Sequence, residues 1–293
     1  MEELERLKNK IKIAMELQSL VKIMKTISAT NIHEYEKAVE SLVDYNKTIE
    51  MGFQILMLNR TTYPSQFNHV EKKRRLGAVI FGSDQGLCGN FNEQIARYAI
   101  EKLNEFEHEN RVTMAVGERV ISSLLEAGQP VEAYFNFSGN YVGITQVMLE
   151  LLVKIEEWRI EREIDQIVMF YNGLISGSSF KPRMVYLYPL DLNWLQRLSE
   201  KKWPSRSIPT FTLDYDSLLS SLVQHYLFFS LYRAFVESLA SENASRLSSM
   251  QMAEKNLGEH LSELHIQFNR QRQAGITSEL LDILTGFEAL TSS

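Results

Sequence analysis

The sequence predicts an α/β protein with two long terminal helices, and three observations carry that expectation. Residues 2 to about 58 contain no proline, and neither does the stretch from Ser217 to Leu290. Between them the pattern changes to short continuous apolar runs separated by segments of helical period.

In the C-terminal stretch, Leu227, Leu231, Phe235 and Leu239, then Leu247, Met250, Leu257, Leu261, Leu264 and Phe268, recur at helical spacing. One helix here would be on the order of 100 Å long, whereas a compact domain of this chain length is only about 40 Å across. Such a helix leaves the globule as a coiled coil, a membrane span or a rod inside a larger assembly. Arg246, Glu254, Lys255, Glu259 and Glu263 break up the apolar residues, so the membrane span fails.

At the N-terminal end, Leu4, Leu7, Ile11 and Ala14 step by three and four, and Leu17, Val21, Met24, Ile27 and Ile32 follow with small drifts. Lys, Glu and Gln fill the other faces, and the thin stripe suits a two-helix seam. Two such helices at the ends of one chain satisfy each other as an antiparallel coiled coil. Gly52 and then Thr61-Thr62-Tyr63-Pro64-Ser65 are expected to close the first helix.

The middle of the chain alternates. Gly77–Gly82, Arg111–Val116, Val131–Phe135 and Ile164–Tyr171 read as strands, with helices over about Phe91–Phe106, Gly117–Ala127 and Val142–Trp158 between them. Arg183–Tyr188 reads as a fifth strand paired with the fourth, across a Gly/Ser-rich loop from Gly173 to Ser179. This alternation implies a mainly parallel, Rossmann-like sheet. Trp203-Pro204 and Ile208-Pro209 form a proline-bearing linker into the last helix. The expected division is therefore 1–60, 61–209 and 210–293.

The loop from Gly82 to Gly89 lies between a strand and a helix, where phosphate-binding turns occur. Its Gly-x-x-x-Gly-x-x-Gly spacing misses the dinucleotide pattern, and no Gly-Lys-Ser/Thr is present. A tight β-to-α turn, in which small residues pack helix on strand, is the favoured alternative. Cys88 has no second Cys and no neighbouring His in sequence, so a buried, inert thiol is expected rather than a nucleophile. The His residues are scattered; His260 and His265 lie five apart rather than at the spacing of a metal-binding helix. No catalytic residue, metal or cofactor is expected.

Net charge is −6, which argues against a nucleic-acid partner. Residues 210–293 carry five basic and ten acidic side chains and so most of that charge, read as a solvated helix face. Lys72-Lys73-Arg74-Arg75 reads as a solvated edge, with a phosphate or lipid-head contact as the alternative. A single cysteine suits a reducing compartment. Glu2, Glu3 and Glu5 stand where a signal peptide would be basic, so none is expected.

Two stretches of the last helix resemble the C-terminal signature of the γ subunit of F-type ATP synthases. They are Ala240-Ser241-Glu242-Asn243-Ala244-Ser245-Arg246-Leu247 and Phe268-Asn269-Arg270-Gln271-Arg272-Gln273-Ala274-Gly275-Ile276-Thr277-Ser278-Glu279-Leu280. The loop Gly82-Ser83-Asp84-Gln85-Gly86-Leu87-Cys88-Gly89 is similar to that family's Gly-Ser-Asp-Arg-Gly-Leu-Cys-Gly. Gln18, Lys22, Met24 and Lys25 fall where its first helix carries Gln-Lys-Ile-Thr-Lys-Ala-Met.

The resemblance implies a central rotor shaft that does no bond chemistry. It stands inside a ring of alternating α and β subunits, with its foot docked beside ε on the membrane c-ring. The location implied is peripheral, on the cytoplasmic face of a bacterial inner membrane. Arg272, Gln273, Thr277 and Glu279 match positions that touch loops of the catalytic ring, and Met24 and Lys25 match positions on the first helix at a similar height. Seam packing is the alternative for Met24, and a solvated face for Arg272 and Gln273.

The chain departs from the family pattern at Gln85, Asn90, Gly275, the run Ser28-Ala29-Thr30-Asn31-Ile32-His33 and the Phe287-Glu288 end. Two other readings stay open on the residues alone: a stand-alone α/β nucleotide-binding protein, and a scaffold whose long helices pair between chains.

Overall fold

The computed structural model describes residues 2–58, 75–106, 110–137, 141–176, 179–207 and 209–291. The expectations for Thr61–Ser65, Lys72–Arg74, His69, His108, Gly177 and Ile208 fall outside these. In chain order the elements are α1 (Glu2–Leu58), β1 (Leu76–Phe81), α2 (Phe91–Asn104), β2 (Arg111–Val116), α3 (Glu118–Glu126) and β3 (Ala133–Phe135). They continue with α4 (Tyr141–Glu161), β4 (Gln166–Ser176), β5 (Ser179–Tyr188), α5 (Leu192–Glu200) and α6 (Tyr215–Thr291). The chain divides into two units, Met1–Ala29 with Arg246–Ser293, and Thr30–Ser245.

In the larger unit the five strands lie in the order β3-β2-β1-β4-β5, parallel except for β5, which runs antiparallel to β4. All six residues of β1, Leu-Gly-Ala-Val-Ile-Phe, are buried, as a central strand covered on both faces requires. Ala78 and Ile80 pack with Ile95, Ala99 and Leu103 of α2 and Val120 and Leu124 of α3. Val79 and Phe81 point the other way, into a core built by α4, α1 and α6 that contains Ile144, Leu151, Trp158, Leu231 and Phe235. The alternation along one strand thus feeds two helix layers. Phe235 of α6 stacks on Phe81 at 5.5 Å between ring centroids and meets Phe137 edge-on at 5.1 Å.

The structure corrects three expectations. The Gly173–Ser179 stretch is mostly strand: β4 runs to Ser176 and β5 starts at Ser179. Pro182 lies inside β5, tolerated because β5 is an edge strand. Gly52 does not close α1, which continues to Leu58; a Cβ there would lie 2.7 Å from Leu222 Cδ2, so the glycine admits a close approach of α6. A helix the sequence reading did not assign, α5, is capped by Asp191, whose side chain accepts from the Asn193 N–H at 2.9 Å. Its Leu195 and Leu198 close a core with Phe53 and Leu56 of α1 and Leu219 and Phe229 of α6.

In the smaller unit α1 and α6 pack antiparallel. Leu7, Ile11 and Ala14 meet Leu261 and Leu264, and Gln271 Nε2 donates to Glu3 Oε2 at 3.1 Å. Within the larger unit the same pairing appears as Asn31 with Asn243 and Tyr45 with His225.

Candidate functional site

The turn singled out in the sequence lies at the C-terminal end of β1. From β1 the chain moves outward to β2 and β3, then returns to β4 on the other side. The crevice outside the ends of β1 and β4 is therefore the topological switch point, where open α/β sheets bind ligands.

Here the turn's polar groups bond within the fold. The Ser83 N–H donates to Asn92 Oδ1 at 2.9 Å, and Asn92 Nδ2 donates back to Ser83 Oγ at 2.8 Å. Asp84 accepts from the Glu118 N–H at the start of α3 at 2.9 Å and from the Phe137 N–H at 2.5 Å. One carboxylate thus ties together the turns that follow β1, β2 and β3. A Cβ on Gly82 would lie 2.4 Å from Val120 Cβ, and Gly117 has φ +98° against the Ser83 backbone. These contacts are those of a packed turn. Cys88 is buried, with its sulfur near Ser83 Oγ and Asn92 Nδ2, each at 3.6 Å.

The crevice itself holds α6. Ser241 Oγ donates to the Asn172 carbonyl of β4 at 2.9 Å, and Ser245 Oγ donates to the Cys88 carbonyl at 2.6 Å. Asn172 Nδ2 reaches across to the Phe91 carbonyl at 3.1 Å. Ser241, Glu242, Asn243 and Ser245 are all buried alongside Leu239, Ala240 and Ala244. A helix buried on every side needs small residues for close approach and polar groups that find partners. The run Ala240–Leu247, distinctive in sequence only by resemblance, acquires this physical role.

In the smaller unit, Lys25 Nζ contacts Glu254 Oε2 at 2.5 Å, both partly exposed. The Lys25 hydrogen bond, followed by its charge, holds the Glu254 carboxyl below the usual glutamate range. Met24 and Lys25 are half-buried, whereas Arg272, Gln273, Thr277 and Glu279 are all exposed. Thr277 Oγ1 donates to the Gln273 carbonyl at 2.9 Å. The pairings of Lys25 with Glu254 and of Glu3 with Gln271 fix the register. They place Arg272 about 27 Å along α6 from the residue opposite Lys25. The two sets of predicted residues therefore lie at different heights on the helix pair, which corrects the expectation of a similar height.

The sides of the pair also differ from the thin-stripe expectation. Leu20, Ile23 and Ile27 of α1 are 57%, 56% and 54% exposed, and Leu280, Ile283 and Phe287 of α6 are 56%, 69% and 65% exposed. Beyond Gln271, α6 presents large apolar side chains among its charges.

Among the described residues no helix is long and apolar enough to cross a membrane, and no group of three or more His, Cys, Asp or Glu could hold a metal ion.

A family model described as ATP synthase matches residues 3–290. The chain is 27% identical to the ATP synthase gamma chain of Nautilia profundicola, covering 98% of each chain. It is 28% identical to that of Histophilus somni strain 129Pt, covering 97% of this chain and 98% of the relative. Among solved structures, a chain of the Euglena gracilis mitochondrial ATP synthase (OSCP/F1/c-ring, rotational state 3) superposes with TM-score 0.69 at 17% identity, over 99% of this chain and 95% of that one. A chain of the Tetrahymena thermophila mitochondrial ATP synthase central stalk and c-ring gives 0.55 at 19%, over 80% and 99%. At these identities the superpositions speak to the fold.

Proposed function

Because the chain belongs to the ATP synthase γ-chain family, we propose that it works as the central shaft of a rotary ATP synthase, carrying torque between a membrane ion-driven ring and a catalytic head. It is a non-catalytic subunit. The finer reading follows the resemblance: α and β subunits enclose the helix pair, ε and the c-ring meet the foot, and the complex sits on the cytoplasmic face of a bacterial membrane. Arg272, Gln273, Thr277 and Glu279, with Met24 and Lys25 lower on the pair, are the contacts proposed for the head. The division at residues 60 and 209 marks the proposed passage from shaft to foot and back.

The observation that carries this reading is the exposed large apolar side chains of α1 and of the end of α6. Leu20, Ile23 and Ile27 of α1, and Leu280, Ile283 and Phe287 of α6 beyond the pair, are each more than half exposed, the apolar exposure that marks an interaction surface. A protein sleeve would cover it, with each buried side chain stabilising the complex by up to about 1.5–3 kcal/mol. The nucleotide-binding alternative loses its support, because Ser241 and Ser245 occupy the crevice it needs.

Purification from the native host with a tag on this chain tests the proposal. Recovery of α and β subunits in excess over the tagged chain is expected. A chain that purifies without them, or as a self-paired dimer by light scattering, overturns it.

A further inference from the structure

Below the sheet face that holds α6, the larger unit contains an open cavity of about 340 Å³, at the small end of the range for ligand sites. Its wall is drawn from α1, β4, β5, α5 and α6. Trp194, Tyr226 and Phe229 form its aromatic floor, with Trp194 and Tyr226 at 5.2 Å between centroids. Arg233, Tyr171 and Ser230 line the other side.

The charged side chains that line the wall are Arg233 and Glu50. Glu237 is shared by two guanidinium groups, Arg233 Nε at 2.8 Å and Arg183 Nη1 at 3.2 Å. Of this cluster only Arg233 lines the cavity. Arg233 is bonded to Glu237 through Nε, and its terminal nitrogens are the part of the fork left for another acceptor. The nearby carboxylates are already matched: Glu50 meets Lys201 at 3.1 Å and accepts from Asn46 at 3.0 Å, and Asp191 meets Arg197 at 3.6 Å. Burial, and then the Glu237 charge, raises the Tyr171 hydroxyl above the ordinary phenol range. Burial does the same to Tyr226 against a contact with Ser230. Both phenols therefore stay protonated and available as donors.

From this donor-rich wall above an aromatic floor, we infer that the cavity binds a small organic anion, with its oxyanion on Arg233 and the Tyr171 hydroxyl and its flat apolar part against Trp194. A bidentate oxyanion suits the guanidinium fork. Carboxylates and phosphate monoesters share this chemistry. A bound molecule would bridge α1, the sheet, α5 and α6, and so would stiffen the point where the last helix enters the sheet layer. This site is independent of the head contacts proposed above.

The test uses the purified full-length chain with benzoate, phenyl phosphate, inorganic phosphate and the neutral phenol as probes. Trp194 is one of three tryptophans in the chain, and a Trp194→Phe variant identifies its share of the fluorescence. The expected result is saturable quenching of Trp194 by benzoate or phenyl phosphate, with a rise in the unfolding midpoint. Phenol and inorganic phosphate should bind at least tenfold more weakly, and the comparison of the two anions separates carboxylate from phosphate recognition. Arg233→Gln should weaken binding at least tenfold, and Arg233→Lys should restore part of it. Absence of saturable binding to the wild-type chain at millimolar probe overturns the inference without reference to any variant. Equal affinity for phenol, or unchanged affinity in a folded Arg233→Gln chain, does so too.

Discussion

Ser245 Oγ donates a 2.6 Å hydrogen bond to the carbonyl of Cys88, joining residues 157 apart in sequence. The bond closes the switch-point crevice with the chain's own helix. Replacing Ser245 with Ala removes this bond from the Cys88 carbonyl, which also accepts from the Phe91 N–H at 3.3 Å. The expected loss is about 1–2 kcal/mol, read as a lower urea midpoint with an unchanged slope. An unaltered midpoint would mean that the bond does not hold α6 in the crevice.

Gly117 combines positive φ with a close approach to the Ser83 backbone, 2.7 Å from an added Cβ. Strain and overpacking act together there, so Gly117→Ala should destabilise by roughly 2–4 kcal/mol. Thermal unfolding measures it, and a loss below about 0.5 kcal/mol, the scale of an ordinary surface change, would contradict the packed turn.

The Lys25–Glu254 pair gives a pH dependence of known sign. Lys25 lowers the Glu254 pKa, so its contribution is complete above the unfolded glutamate value, near pH 4.3, and is lost as pH falls through the lower folded value. Lys25→Met should move the Glu254 midpoint, followed by carboxyl-carbon NMR, back upward. It should also remove the associated decline in stability at acid pH.

Gly258 and Gly275 lie inside α6, and an added Cβ at either meets nothing within 4 Å. Alanine at each should stabilise the helix by about 0.5–1 kcal/mol, seen as higher helical content on heating by circular dichroism. A fall in helicity would show that the glycines serve a bend.

Arg272 and Gln273 are exposed in the isolated chain, so alanine at either should change its stability by no more than about 0.5 kcal/mol. In the assembled complex the same variants should lower ATP-driven turnover by about fivefold, the loss expected for one kcal/mol of contact with the head. Full turnover in both variants would remove these residues from the proposed interface.

Much of the architecture was legible in the chain alone. Glu2–Leu58 and Tyr215–Thr291 emerged from missing prolines and apolar spacing, because a helix is set by residues three and four apart. β2 was read to the residue, as a short apolar run between turn signals. α5 was left unassigned although Asp191, Leu195 and Leu198 give a capped apolar face, because nine residues are too few for the helical period to stand out. β5 starts at Ser179, four residues before the Arg183 expected from sequence, and Pro182 is tolerated inside it because β5 lies at the sheet edge.

The residues by themselves therefore determined the long helices, the alternating sheet and the family motifs, all of which rest on local periodicity or on short spans of chain. The tertiary structure decided the pairing of Lys25 with Glu254 and the height it gives Arg272, the filling of the crevice by Ser241 and Ser245, and the gathering of Arg233, Tyr171 and Trp194 around one cavity. Each depends on side chains brought together from distant segments, and a repeating apolar pattern fits several registers equally well until those polar partners select one.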